Sequence, residues 1–164
     1  RGHFHAYYDN YCYLPLYVFA GQDMLACVLR PSSRDPASVV SALIKRLLVP
    51  LRRAWPKTKI IVRADSGFCR PRVLQRLERW GVSYIIGLQK NARLTQQVAL
   101  AELALADQYQ AAQTKQRMFG QFEYAADTWD RARRVIARLE HGEQGANPRF
   151  VVTDLPSSAQ APYE

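Results

Sequence analysis

The chain has 164 residues, of which 48% are hydrophobic and 23% are charged. This length fits a single domain, and this composition excludes a disordered or low-complexity chain. No apolar run approaches the roughly 20 residues that a membrane-spanning helix needs, so we expect a soluble, intracellular protein.

The formal net charge is +9, and one central segment carries the excess. Between residues 36 and 93, Lys and Arg number 13 while Asp and Glu number 2. The flanking segments are nearly balanced, with 3 against 3 in residues 1–35 and 7 against 9 in residues 94–164. A basic surface can simply keep a protein soluble. Its concentration in one segment instead favours a polyanionic partner.

The first third of the chain predicts antiparallel strands. Aromatic and β-branched residues are enriched at residues 4–8 and 14–19, and the turn residues Asp9-Asn10 lie between these segments. A third strand is expected at residues 24–29, after the turn residues Gly21-Gln22-Asp23. We expect a three-stranded meander. Asp35 and Pro36 then predict the start of an amphipathic helix, which Pro50 should kink or end.

The middle of the chain predicts a βαβ unit. Residues 59–65 form a short apolar run that is typical of a strand buried on both faces. A helix should begin at Arg70-Pro71 and end at Gly81, and a strand should follow at residues 84–88.

The last third predicts an Ala-rich helix over residues 94–110 and then strands. Strand patterns occur at residues 122–126, 134–140 and 149–152, around a Gly-rich turn at 141–147. These strands are either a β-rich insertion, at about residues 112–148, or a return to the main sheet.

Asp65 is the best candidate for chemistry by its position. It ends the predicted buried strand and precedes the turn residues Ser66-Gly67, where ligands usually meet an open α/β sheet. In the alternative interpretation, its side chain only caps this turn through a hydrogen bond to the backbone.

Several segments resemble the DDE transposases of bacterial insertion sequences: residues 4–16, 61–69, 84–88 with Asn91, and 147–153. The most specific is Arg-Ala-Asp-Ser-Gly-Phe at residues 63–68. The resemblance covers nearly the whole chain, and the order of elements also resembles the ribonuclease H arrangement. It implies an α/β fold with a ribonuclease H-like mixed sheet flanked by helices, and a partial catalytic domain over residues 1–164.

By this resemblance, Asp65 is the second catalytic aspartate and binds Mg²⁺ or Mn²⁺, cations that prefer oxygen ligands. Two such ions can clamp the attacking and leaving oxygens of a phosphodiester. The family also uses an Asp on the first strand and a Glu on a late helix, which we expect upstream of Arg1 and beyond Glu164. Asp9 and Glu164 are poor substitutes by placement, so residues 1–164 alone should not cleave DNA.

The implied function of the intact protein is metal-dependent DNA cleavage and strand transfer at the ends of a mobile element. Its partners would be the terminal repeats, the target DNA and further copies of the chain in a synaptic complex, in the cytoplasm and at the nucleoid. Alternatives are another ribonuclease H-like nuclease, such as a junction resolvase or repair nuclease, or a non-catalytic DNA-binding remnant. A dinucleotide site is disfavoured, because no Gly-x-Gly-x-x-Gly follows a predicted strand.

Basic residues near Asp65 are candidate phosphate contacts, although each could instead belong to a solvated helix face. They are Arg63, Arg70, Arg72, Lys90 and Arg93. Trp129 beside Arg131 would suit stacking on unpaired bases, unless Trp129 packs in the core.

The Cys and His residues give no metal or disulfide pattern. Cys12, Cys27 and Cys69 are widely spaced and are expected to be reduced and half-buried. His3 and His5 alternate without a companion ligand, so we expect surface or packed histidines.

Overall fold

The computed structural model describes residues 3–5, 10–31, 35, 37–156 and 158–163. The predictions made for Asp9, Pro36 and Glu164 therefore lie outside the described residues, as do those for the side chains of His3, His5 and Cys12. The chain divides into two compact units, residues 1–58 and residues 59–164.

Unit 1 contains two separate β-hairpins and one helix. Its elements are β1 (His3–His5), β2 (Asn10–Cys12), β3 (Leu16–Ala20), β4 (Asp23–Val28) and α1 (Val40–Ala54). β1 pairs antiparallel with β2, and β3 with β4, so the predicted single three-stranded meander is wrong. Asn10, expected in a turn, begins β2 opposite His5. Each strand pairs with its sequence neighbour, and Gly21 supplies a positive φ of +61° between β3 and β4.

Helix α1 confirms the predicted amphipathic pattern. Val40, Ile44 and Leu48 recur every four residues and are buried. Pro50 does not end the helix, which continues to Ala54. Pro50 is exposed, so its ring lies on the solvent side of the helix.

The predicted start of α1 is wrong. Its N-cap is Val39, four residues after Asp35, and makes no side-chain capping bond. Asp35 instead accepts a hydrogen bond from the Ala37 N–H at 3.1 Å and so caps the turn that precedes the helix.

Unit 2 is a mixed sheet with two helices. Its elements are β5 (Ile61–Ala64), α2 (Pro71–Arg79), β6 (Ser83–Leu88), α3 (Ala92–Ala112), β7 (Gln116–Tyr124), β8 (Arg133–Gly142), β9 (Gly145–Ala146) and β10 (Arg149–Thr153). The strand order is β5-β6-β10-β8-β7, with β9 beside β8. β5 and β6 are parallel, which confirms the βαβ unit, and the other pairs are antiparallel. This mixed α/β architecture is compatible with a ribonuclease H-like fold.

Helix α2 begins and ends as local signals predict, and α3 extends two residues beyond each end of the predicted range of 94–110. In α2, Pro71 occupies the first turn and Gly81, with φ +61°, follows the last turn. α2 contacts β6, and α3 contacts β7 and β8. The residues that the two helices bury are Val73, Leu74 and Leu77 in α2 and Leu94, Val98 and Leu105 in α3.

The prediction that β5 is buried on both faces is wrong. β5 lies at the end of the sheet, where β6 is its one partner among the described residues, and Ile61 is 44% exposed. The strand buried on both faces is β6, where Tyr84, Ile85 and Ile86 are 1%, 7% and 0% exposed. An apolar run predicts a strand, but whether that strand lies at the edge or in the centre of the sheet depends on partners far along the chain. Here β10 pairs with β6 and leaves β5 at the end of the sheet.

Strands β7 to β10 belong to the same sheet as β6. Val152 of β10 lies opposite Ile86 of β6 on one side and Val135 of β8 on the other. The late strands therefore extend the main sheet, and an insertion at about residues 112–148 stays a prediction. Within the described part of the chain, every helix is too short or too polar to cross a bilayer.

Candidate functional site

Asp65 stands directly after β5, with its side chain exposed. It caps a 3-10 helix (Ser66–Phe68), and its Oδ1 accepts a hydrogen bond from the Gly67 N–H at 2.7 Å. The backbone-capping interpretation thus describes a real contact. The bond uses one oxygen and fixes the orientation of the carboxylate, and the carboxylate stays open to solvent.

Gly87 of β6 lies directly against the backbone of the Asp65 turn. A Cβ at Gly87 would lie 2.9 Å from the Ser66 nitrogen and 3.2 Å from the Asp65 carbonyl carbon. Only glycine therefore lets the Asp65–Ser66 peptide rest on β6. The sequence pattern does not by itself assign Gly87 to the site, although a glycine inside an apolar strand often marks a close backbone approach.

Two of the predicted basic residues lie near the Asp65 end of the sheet. Since β5 and β6 are parallel, their carboxyl ends share one edge, where Asp65 follows β5 and Lys90 follows β6 by two residues. Arg63 lies in β5 opposite Ile85, and both basic side chains are exposed. Arg63 and Lys90 therefore lie at the end of the sheet where a phosphate contact near Asp65 is expected.

Arg70 and Arg72 lie at the start of α2, and both are exposed. Cys69, just before them, is half-buried, and burial raises the pKa of its thiol to about 11 despite the nearby Arg70 and Arg133 charges. Cys69 is therefore a protonated thiol and a poor nucleophile. Cys27 is exposed, so the expectation that it is half-buried is wrong.

Arg93 is engaged by its own chain. Its guanidinium contacts Asp127 at 2.7 Å and lies 5.5 Å from the centre of the Tyr124 ring. Asn91 beside it caps α3 by accepting from the Leu94 N–H at 3.0 Å. Because the Arg93–Asp127 pair is exposed, it is weak enough for a phosphate to replace the acid.

Trp129 and Arg131 also have partners within the protein. The Trp129 ring meets Tyr124 edge-on at 5.7 Å, and the Arg133 guanidinium lies over it at 5.5 Å. Arg131 pairs with Glu78 at 2.9 Å. These contacts favour a packing role for Trp129 over base stacking.

An ion network centred on Glu78 joins α2, β6 and β8. The Arg133 guanidinium donates to both carboxylate oxygens of Glu78, at 2.7 and 3.0 Å, and the Tyr84 hydroxyl donates at 2.8 Å. Arg133 is only 4% exposed and also reaches Asp130 at 2.9 Å. The sequence does not reveal this network, because its members are far apart along the chain.

The network predicts a loss of stability in acid. Burial acts to raise the pKa of Glu78, but hydrogen bonds from Arg133 and Tyr84 outweigh it, and the pKa lies below the ordinary 4.5. The stabilisation is therefore complete above pH 4.5 and is lost as the pH falls through the lowered folded-state pKa. Urea unfolding across this range should show a decline that is shallower in Glu78→Gln. A variant that declines as steeply as wild type would contradict the assignment.

Asp65 fits one position of a divalent-cation site. Its second carboxylate oxygen has no hydrogen-bond partner among the described residues, and carboxylate oxygen suits Mg²⁺ or Mn²⁺. Across the same residues, no three His, Cys, Asp or Glu side chains group as a metal site. Asp65 is therefore a single candidate ligand for such a cation.

The chain is similar to a known protein family. A family model described as transposase DDE domain, group 1, matches residues 1–164. A comparison with curated proteins gives no match. The family match spans both compact units and includes the Asp65 turn.

Proposed function

Since the chain belongs to the transposase DDE domain family, we propose that it forms part of a DNA transposase in which Asp65 binds Mg²⁺ or Mn²⁺ during DNA cleavage and strand transfer. The observation that carries this proposal is the exposed, oriented carboxylate of Asp65 at the carboxyl end of β5. The partners would be the ends of an insertion sequence and a target duplex, held by more than one copy of the protein.

Each residue near Asp65 has a distinct part in this proposal. The Gly67 N–H fixes one carboxylate oxygen and leaves the other to face the cation. Lys90 and Arg63 offset phosphate charge at the same end of the sheet. A bound divalent cation would stabilise the charge that develops on the reacting phosphodiester. One carboxylate does not complete such a site, so residues 1–164 alone should not cleave DNA.

A second candidate is a DNA-binding protein without catalysis, in which Asp65 only caps its turn. The 2.7 Å bond to the Gly67 N–H favours it, because this bond alone accounts for an acidic or amide residue at position 65. The two candidates differ in what they require. A cap needs an acceptor oxygen, whereas a metal ligand also needs the negative charge.

Replacing Asp65 by Asn or Ala separates these two roles. In wild type, Mn²⁺ should broaden the NMR amide signals of Ser66 and Gly67 through a cation held by Asp65. Both Asp65→Asn and Asp65→Ala should abolish this broadening. Asn keeps an acceptor for the Gly67 N–H, so it should preserve stability, whereas Ala should lose about 1 kcal/mol.

The matched control is Asp107→Asn, which neutralises an exposed acid on α3. It should leave the broadening at Ser66 and Gly67 unchanged. If Asp65→Asn broadens as wild type does, Asp65 is only a cap, and the metal role is wrong.

A further inference from the structure

Helix α2 has two chemically opposite faces. Val73, Leu74 and Leu77 are buried at 4%, 0% and 0% exposure. The other side presents Arg72, Arg76 and Arg79, an i, i+4, i+7 set that places three guanidinium groups on one face. We call these three residues the arginine stripe. All three are exposed, and none has a salt-bridge partner within the part of the chain that the structure describes.

The arginine stripe is unfavourable for the helix at Arg72, although Arg76 and Arg79 lie in the last turn, where the helix dipole favours a cation. Like charges four residues apart repel, and Arg72 lies in the first turn, at the positive end of the helix dipole. Glu78 is the acidic residue of α2, but it is occupied by Arg131, Arg133 and Tyr84. The positive charge of the stripe is therefore left for an anion from outside the chain.

The direction of the stripe is set by the βαβ topology. α2 begins after the 3-10 helix that Asp65 caps and leads to the amino end of β6. Arg72 is thus at the Asp65 end of the helix, and Arg79 is at the far end. Seven residues of helix span about 10 Å, and the phosphates of one DNA strand rise about 3.4 Å per step along the duplex axis, so the stripe is long enough to reach several of them.

We propose that the arginine stripe binds consecutive phosphates of a DNA strand that leads away from Asp65 along α2. Guanidinium groups suit this role because they stay charged and can bind phosphate oxygens in pairs. Such contacts position the duplex without reading its bases. The proposal rests on the proposed function and adds Arg76 and Arg79 to its DNA-binding residues.

The test compares two triple variants of the 164-residue chain that lose equal charge. One is Arg72→Gln/Arg76→Gln/Arg79→Gln, and the control is Lys45→Gln/Arg46→Gln/Arg53→Gln on the exposed side of α1. Fluorescence anisotropy with a labelled duplex gives the slope of log affinity against log salt. Each lost phosphate contact should lower that slope by roughly 0.9, so the stripe variant should lose about 2 to 3 and the control less than 1. The triple Arg→Lys variant should keep the wild-type slope.

Each outcome decides the proposal. Equal losses in the stripe and control variants would overturn it, since binding would then follow total charge. Absence of binding by the wild-type chain at low salt would also overturn it. Neither result bears on the Mn²⁺ experiment at Asp65, so failure of the stripe and failure of the metal site are distinguishable.

Discussion

Replacing Glu78 by Ala should lower the free energy of unfolding by about 3–5 kcal/mol, because it leaves a charged group buried without its main partner. That group is Arg133, which is 4% exposed and donates to both oxygens of Glu78. Asp130 would remain as its acidic partner, and Asp130 is half in solvent, with a side chain 43% exposed. Urea unfolding followed by circular dichroism measures the loss.

Two further variants show whether the buried charge is the cause. Arg131→Gln removes a partner of Glu78 that is 60% exposed, so it should cost less than about 1 kcal/mol. Glu78→Met/Arg133→Met removes both charges of the pair and should recover most of the stability lost in Glu78→Ala. A Glu78→Ala protein as stable as Arg131→Gln would show that the network contributes little.

Replacing Gly87 by Ala should destabilise the protein by about 1–3 kcal/mol and displace the Asp65 turn, because the added methyl group has no space. Its Cβ would meet the Ser66 nitrogen at 2.9 Å, and that atom is backbone in a turn fixed by the Asp65–Gly67 hydrogen bond. The amide signals of Ser66 and Gly67 should shift, and their broadening by Mn²⁺ should weaken. Urea unfolding and two-dimensional NMR measure both effects.

Gly120→Ala is the matched control. Gly120 also lies within a strand of this sheet, but a Cβ there meets nothing within 4 Å. The same methyl group should therefore be neutral or slightly stabilising and should leave the Asp65 turn unchanged. If the two variants behave alike, steric contact at Gly87 does not set the position of Asp65.

Elements with local signals were predictable from the sequence. Pro71 and Gly81 mark the two ends of α2, and a positive φ at Gly81 requires no distant partner. The exposed position of β5 was not predictable, because it follows from β10 pairing with β6 rather than with β5. The same dependence on pairing explains why two hairpins replace the expected meander of unit 1.

Only the part of the candidate site that depends on local signals was predictable from the sequence. Asp65 ends its strand as expected, since strand and turn signals adjoin in the sequence. The partners of Arg93, Trp129 and Arg131 come from other elements, so their contacts are invisible in the local sequence. They are Asp127, Tyr124 and Glu78.

The close contact between Gly87 and the Asp65–Ser66 peptide divides the site between two strands. One strand leads into the candidate metal ligand, and the other contributes only the lack of a side chain. Evolutionary pressure on the carboxylate would thus extend to a residue with no chemistry of its own. A single methyl group on β6 would displace the carboxylate while Asp65 itself stayed intact.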